Sequence, residues 1–355
     1  MIMPTNRLHQ VHRTPSGCAI FLAMSLTHTV SVVIPVYRGA ETLPDVVSEI
    51  VELAEPFVTP NGHEGRVTEV LLVHDHGPDS SDVAMRQLAE KYDIVRPVWL
   101  SRNFGQHAAT LAGLASSGSD WIVTMDEDGQ HDPAYILPML DTALGEQAAL
   151  VYARPTNPAP HGPVRNLASR GSKVLIDRVM PGGRARQFNS FRLILGEYGR
   201  SVSAYAANGV YLDVALSWVI SDVATCPVEL REEGERPSGY SYRSLMSHFW
   251  RMVLTGGTRL LRTVSVCGAL LATSGIVLAV ALVVARLAGG VDVQGWTSLM
   301  AAILVCSGAI MLTLGVIAEY LGMAVNMAMG KPLYVVVSDP ANGPLRDGPV
   351  PGRLE

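Results

Sequence analysis

The chain has 355 residues, enough for one large domain or two small ones, and its net charge of −5 provides no electrostatic footprint for nucleic acid. Its four cysteines, at positions 18, 226, 267 and 306, show no C-x-x-C spacing, which argues against a disulfide framework or zinc site and fits a reducing compartment. Hydrophobic residues make up 48%, high for a fully soluble protein, and the excess is concentrated near the carboxyl end.

Residues 1–40 contain no Asp or Glu, and the brief apolar run CAIFLAM (18–24) is too short to span a membrane and lacks a clear cleavage site. Residues 1–28 are therefore read as a disordered extension, with a transit peptide or a start at Met24 as alternatives. Residues 29–240 are read as one domain: over 30–153 short apolar runs alternate with helical patterns, and beyond 160 the pattern is less regular. VSVVIPV (30–36), EVLLV (69–73), VRPVWL (95–100), WIVTM (121–125) and ALVYA (149–153) predict strands. Helices are expected near 43–57, 80–92, 105–117 and 133–144, the first opened by a capping box of Thr42 and Asp45. This alternation predicts an α/β domain with a mainly parallel sheet, whose ligands sit at the carboxyl ends of the strands.

Two stretches, 165–179 and 242–262, combine apolar and basic residues as interfacial amphipathic helices do, or as ordinary surface helices do. The second leads into TVSVCGALLATSGIVLAVALVVA (263–285), which carries no charge, and residues 294–319 form a second apolar run. Each can cross a hydrocarbon core of about 30 Å. Together they predict a transmembrane hairpin over 263–321; a pair of buried helices in a soluble core is the alternative. Arg243, Arg251, Arg259 and Arg262 before the first run and Lys331 after the second predict that both ends are cytoplasmic. The expected location is thus the inner (plasma) membrane, multi-pass, with a cytoplasmic segment at 322–355 that is disordered at its end.

The most informative stretch is VTMDEDGQHDP (123–133), where an apolar strand ends on three adjacent carboxylates. They repel one another, and nothing local neutralises them. D-x-D at a strand end suits a hard divalent cation, Mg²⁺ or Mn²⁺, bound by Asp126 and Asp128. Such a cation stabilises charge developing on a diphosphate leaving group.

The order and spacing of VSVVIPVYRGAETL (30–43), VHDHGPDSSD (73–82), LSRNFGQHAATLAGL (100–114) and MDEDGQHDP (125–133) resemble family 2 glycosyltransferases of the GT-A fold. FNSFRLI (188–194), Arg231 with SGYSYRSL (238–245), AEYLG (318–322) and GKPLYVV (330–336) extend the likeness. The resemblance is to the polyprenol-phosphate group, which includes dolichol-phosphate mannose synthases and bacterial undecaprenyl-phosphate sugar transferases. It implies transfer of a sugar from a nucleotide diphosphate, UDP first among the candidates, to a polyprenyl phosphate, for cell-envelope glycan synthesis. It further implies that Pro35, Tyr37, Glu41, Asp75, Asn103, Gln106 and Asp126 bind the nucleotide sugar, with Gln130 facing the sugar. The same resemblance implies Asp128 as the direct metal ligand, Arg192 and Arg231 as candidates for gripping phosphate, and Ser238 and Tyr240 as part of a closing loop. His107 and His131 are expected to support the site through hydrogen bonds. Related proteins form homotetramers, so self-association is expected.

A lipid phosphate is already anionic near neutral pH, so its oxygen can attack the anomeric carbon without a strong base, in a single inverting displacement. Several positions depart from the family's pattern. Arg38-Gly39 replaces Asn-Glu, His74 and His76 flank Asp75, and Asn189-Ser190 stands where many members carry Asp. Gly239 replaces a frequent Lys, for which Arg236 is a candidate substitute, and Met323 replaces Arg. Two alternatives stay open: another lipid or glycan acceptor, or a non-catalytic nucleotide-sugar-binding scaffold.

Overall fold

The computed structural model describes residues 27–157, 187–206, 210–231, 259–288, 295–330 and 332–343. Ser238, Tyr240, Arg236, the stretch 165–179 and residues 241–258 of the expected interfacial helix lie outside the described residues.

The α/β alternation is present. In chain order come β1 (His28–Val36), α1 (Leu43–Glu52), β2 (Phe57–Val58), β3 (Glu64–His74), α2 (Ser81–Lys91), β4 (Val95–Leu100), α3 (Gln106–Ser116) and β5 (Trp121–Thr124). A 3₁₀ turn at Pro133–Tyr135 leads into α4 (Ile136–Gly145) and β6 (Leu150–Pro155). After these come β7 (Arg192–Leu195), α5 (Gly196–Tyr205), α6 (Leu212–Val219) and β8 (Val223–Val228). Two long helices follow, α7 (Arg259–Leu287) and α8 (Trp296–Ala328), and then β9 (Val336–Val337).

One sheet runs in the order β8-β6-β7-β5-β1-β3-β4-β9, with β2 paired to β3. The central strands β5, β1, β3 and β4 are parallel. β7 enters antiparallel between β5 and β6. Strand alternation sends Val30, Val32, Ile34 and Val36 to the face covered by α1, α2 and α4, and Val33 to the face covered by α3, α5 and α6. A register shift beside Val30 and Ser31 lets both Val67 and Val70 of β3 face the first layer, despite their odd spacing.

The expected capping box at Thr42 is not formed. Thr42 makes no side-chain cap hydrogen bond; its hydroxyl donates instead to the Glu127 carbonyl at 2.6 Å. A tertiary acceptor has displaced the local one.

Helices α7 and α8 contain two spans, Val264–Ala285 and Val305–Asn326, long and apolar enough to cross a membrane. Almost none of either span is buried against the rest of the protein, unlike the helices of a soluble core. The second span sits further along the chain than the run at 294–319, because α8 continues without a break through Glu319 to Ala328. Beyond it the chain returns to the sheet: β9 pairs with Trp99 and Leu100 of β4, and Ser101 donates its N–H to the Val335 carbonyl at 2.9 Å.

Candidate active site

The site begins where β1 and β5 part. Their ladder ends at Val33 and Thr124, with a last rung from the Met125 N–H to the Val33 carbonyl at 3.0 Å. By strand alternation the next β1 residue facing β5 is Pro35, which has no N–H to offer. Proline is tolerated in this central strand because the ladder has already ended on that side. β1 is also where strand order reverses, with β3 and β4 on one flank and β5 on the other. The crevice outside the carboxyl ends at such a point is where open α/β sheets bind ligands.

The three carboxylates line this crevice. One Asp126 oxygen accepts from the Gln106 amide at 2.6 Å and the other from the Ser190 hydroxyl at 2.6 Å. The Asp126 N–H donates to Nδ1 of His131 at 3.0 Å, and the buried His131 ring stacks on Phe191 with centroids 4.8 Å apart. Accepting at Nδ1 leaves the proton of a neutral His131 on Nε2. The supporting hydrogen-bond role expected of His131 is therefore visible. Asp128 is exposed on the following turn, where it accepts from the Gln130 N–H at 3.0 Å, and Gly129 supplies the positive φ of 78° that the turn requires. The donors on Asp126 are neutral, so they fix its orientation without cancelling its charge.

Glu127, between the two aspartates, turns the other way. Its carboxylate accepts the N–H groups of Tyr37 and Arg38 at 2.8 and 2.9 Å, across the crevice. Burial pushes its carboxyl up to about 6, against the opposing pull of those two N–H bonds. The next two N–H groups of the same loop are held from the other flank: Gly39 donates to the Ser81 hydroxyl and Ala40 to Asp79, both at 3.0 Å. Neither Glu127 nor Ser190 was singled out in the sequence as a contributor; both depend on side-chain direction, which spacing does not encode.

Asp75 is buried at the end of β3, and accepts the N–H groups of Phe104 and Gly105 at 2.7 and 2.8 Å. Burial raises its pKa, and these two bonds oppose the rise. It thereby fixes the turn that leads Gln106 into α3 and onto Asp126. Tyr37, Glu41, Asn103 and Gln106 are exposed around the rim, and Pro35 is buried in the wall. His74 is buried beside Trp99 and His76, and neither of its ring nitrogens has a hydrogen-bond partner among the described residues.

The two arginines are engaged elsewhere. Arg192 is buried, donates Nε to the Thr124 hydroxyl at 3.0 Å and is ion-paired with buried Asp213, which also accepts from the Tyr152 hydroxyl. Its charge is thus directed into the interior rather than toward the crevice. Arg231 lies beside the acidic turn: its N–H donates to the Gln130 carbonyl, and its guanidinium pairs with Glu49 at 2.8 Å and Asp132 at 3.0 Å. His107 packs edge-on against Tyr211, with centroids 4.1 Å apart.

Among the described residues no group of three or more His, Cys, Asp or Glu side chains is placed to hold a metal. The donors available are the carboxylates of Asp128 and Asp126. That set suits Mg²⁺ or Mn²⁺, which bind through one or two carboxylates and take their remaining ligands from phosphate and water. It does not suit a closed structural zinc site.

Residues 31–200 match the family described as Glycosyl transferase family 2. The undecaprenyl-phosphate 4-deoxy-4-formamido-L-arabinose transferase of Salmonella paratyphi B is 29% identical over 321 residues, covering 86% of this chain and 92% of that protein. Among solved structures, glucosyl-3-phosphoglycerate synthase from Mycobacterium tuberculosis with Mn²⁺, uridine diphosphate and glucosyl-3-phosphoglycerate aligns at 20% identity with a TM-score of 0.47. That alignment covers 70% of this chain and 86% of that one. Mannosyl-3-phosphoglycerate synthase from Rubrobacter xylanophilus aligns at 15% identity and the same TM-score, covering 66% of this chain and 74% of that one.

Proposed function

Residues 31–200 being a glycosyl transferase family 2 domain, we propose that this glycosyltransferase moves a sugar from a nucleotide diphosphate to a polyprenyl phosphate at a membrane surface. The observation that carries the reading is the Asp126–Asp128 turn, held by neutral donors at the mouth of the crevice between β1 and β5. The similarity to an undecaprenyl-phosphate sugar transferase along 86% of the chain supports the acceptor, as do the two apolar spans. A long isoprenoid acceptor gives those spans a purpose, because its phosphate must meet a site at the bilayer surface. The basic flanks favour a hairpin in the plasma membrane with the domain at 29–240 and both ends on the cytoplasmic side.

In this reading Pro35, Tyr37, Glu41, Asp75 and Asn103 border the nucleotide, and Gln106 orients Asp126. Asp128, with Asp126 behind it, would hold Mg²⁺ or Mn²⁺, whose contribution is to neutralise charge on the diphosphate as it leaves. The chain's own task is to align two anions while excluding water. Arg231 is near enough to the acidic turn to serve phosphate if it exchanges Glu49 and Asp132 for it. Arg192 acts in this reading as the buried support of Thr124 at the end of β5. The attacking phosphate oxygen needs no base, which favours a single displacement with inversion, and UDP is the first donor to test.

The test uses the purified full chain in detergent with Mn²⁺ and a panel of nucleotide sugars. Release of one nucleoside diphosphate that requires both the metal and a polyprenyl phosphate is expected, falling roughly 100-fold or more in Asp128→Asn. Release that is indifferent to the lipid would point to hydrolysis or another acceptor.

A further inference from the structure

We propose that Glu127, the residue between the two aspartates, is a positioning residue that holds the nucleotide-facing loop at 37–40 in register with the metal-facing turn. The proposal rests on the reading of the site given above and extends it to a residue whose side chain points away from the metal position. Two observations carry it. The Glu127 carboxylate accepts the consecutive N–H groups of Tyr37 and Arg38 across the crevice where the β1–β5 ladder has ended. The neighbouring backbone is shaped around it: a Cβ on Gly39 would lie 2.8 Å from the Glu127 carboxylate, and as close to the Leu43 side chain. Glycine at position 39 and glutamate at position 127 thus fill one space between them.

Without the Glu127 carboxylate, the N–H groups of Tyr37 and Arg38 lose their tie to the β5 side, while Gly39 and Ala40 keep theirs to the β3 flank through Ser81 and Asp79. The Thr42 hydroxyl on the Glu127 carbonyl strengthens the same bridge from the start of α1. The two halves of a nucleotide diphosphate site lie on opposite sides of this crevice. A bridge across it sets their separation before ligand arrives, and preorganisation of that kind is realised as affinity. The opposite end of the same strand pair offers a matched control. Asp120 accepts the N–H and hydroxyl of Thr29 at 3.0 and 2.7 Å, again joining the β5 and β1 segments through a carboxylate, far from the crevice.

The experiment measures binding of uridine, guanosine and thymidine diphosphates with Mn²⁺ to full-length protein in detergent, together with unfolding midpoints. Glu127→Ala, Glu127→Gln and Asp120→Asn are compared with the unsubstituted chain. Glu127→Ala is expected to weaken nucleotide binding about tenfold, and Glu127→Gln, which keeps one acceptor oxygen, by less. Asp120→Asn should lower the unfolding midpoint comparably while leaving nucleotide binding within about twofold. In turnover the loss should fall on the donor KM more than on kcat. Equal weakening by Asp120→Asn and Glu127→Gln would show a general stability effect and overturn the proposal, as would unchanged affinity in Glu127→Ala. Failure of the unsubstituted chain to bind any of the three nucleotides would overturn the underlying reading along with it.

Discussion

Arg192 and Asp213 are both almost inaccessible, and the Tyr152 hydroxyl completes their network at 2.8 Å. Removing one member leaves the other charge buried without a partner, which costs about 3–5 kcal/mol. Arg192→Met or Asp213→Leu should therefore lower the unfolding midpoint sharply, and the double variant should recover much of the loss in thermal denaturation. If Arg192 touched phosphate instead, the double variant would regain stability without activity. Glu127 gives a second prediction, from its carboxyl held at about 6 by burial against an ordinary value of 4.5. A raised folded pKa stabilises the fold fully below about 4.5, and that contribution is lost as pH rises through 6. Without added metal, the unfolding midpoint of the unsubstituted chain should fall relative to Glu127→Gln between those limits. Gly77 is a third case. A Cβ there would lie 1.6 Å from the Tyr37 carbonyl oxygen, so Gly77→Ala must force apart the two loops that frame the crevice. It should weaken nucleotide binding and stability together. At this scale the sequence identifies the D-x-D and its support by His131, because those follow from charge and motif. It does not reveal that Arg192 faces inward, that Glu127 reaches back to β1, or that Ser190, read as a missing Asp, donates to Asp126. All three depend on which way a side chain turns once the strands are packed.

Secondary-structure elements are legible where the pattern is local. The five expected strands and four expected helices of the first half all form, because each is an apolar run or a 3.6-residue period of ordinary length. β7 and β8 were not expected: the first is a short antiparallel insertion and the second contains Pro227. β9 has two residues and exists only through its partner across the chain. Its docking is secured by Asp339, whose carboxylate accepts Nε and Nη2 of Arg86 at 2.9–3.1 Å. The hydrogen bonds from Arg86 hold the Asp339 carboxyl below its usual value. The pair therefore contributes fully above the ordinary carboxylate range and fades as pH falls through the lowered value. Partly exposed pairs of this kind contribute at most about 1 kcal/mol, so Asp339→Asn should leave the global unfolding midpoint nearly unchanged. Its effect should be local, namely faster proteolysis at 332–343 in the folded protein. Unchanged cleavage there would show that Leu333 and Tyr334, which pack on the core beside β4, hold the segment unaided.

For the whole molecule, the placement of the site follows from topology. The sheet reverses at β1, the β1–β5 ladder stops at Val33, before Pro35, and the acidic turn lies across the resulting crevice. After β8, at one edge of the sheet, the chain goes on to two apolar spans and returns as β9 at the other edge, beside β4, so that the carboxyl end of the second span is tied to the sheet. The apolar spans and the α/β domain are both visible in composition; the return strand that connects them is not. A lipid-phosphate acceptor is read out by the mass of the lipid after reaction. Full-length protein in vesicles containing a polyprenyl phosphate would be given Mn²⁺ and the nucleotide sugar selected by the donor panel. A lipid heavier by one sugar residue, still joined through phosphate, is expected from the unsubstituted chain and none from Asp128→Asn. Release of nucleoside diphosphate with the lipid unmodified would contradict a lipid-phosphate acceptor.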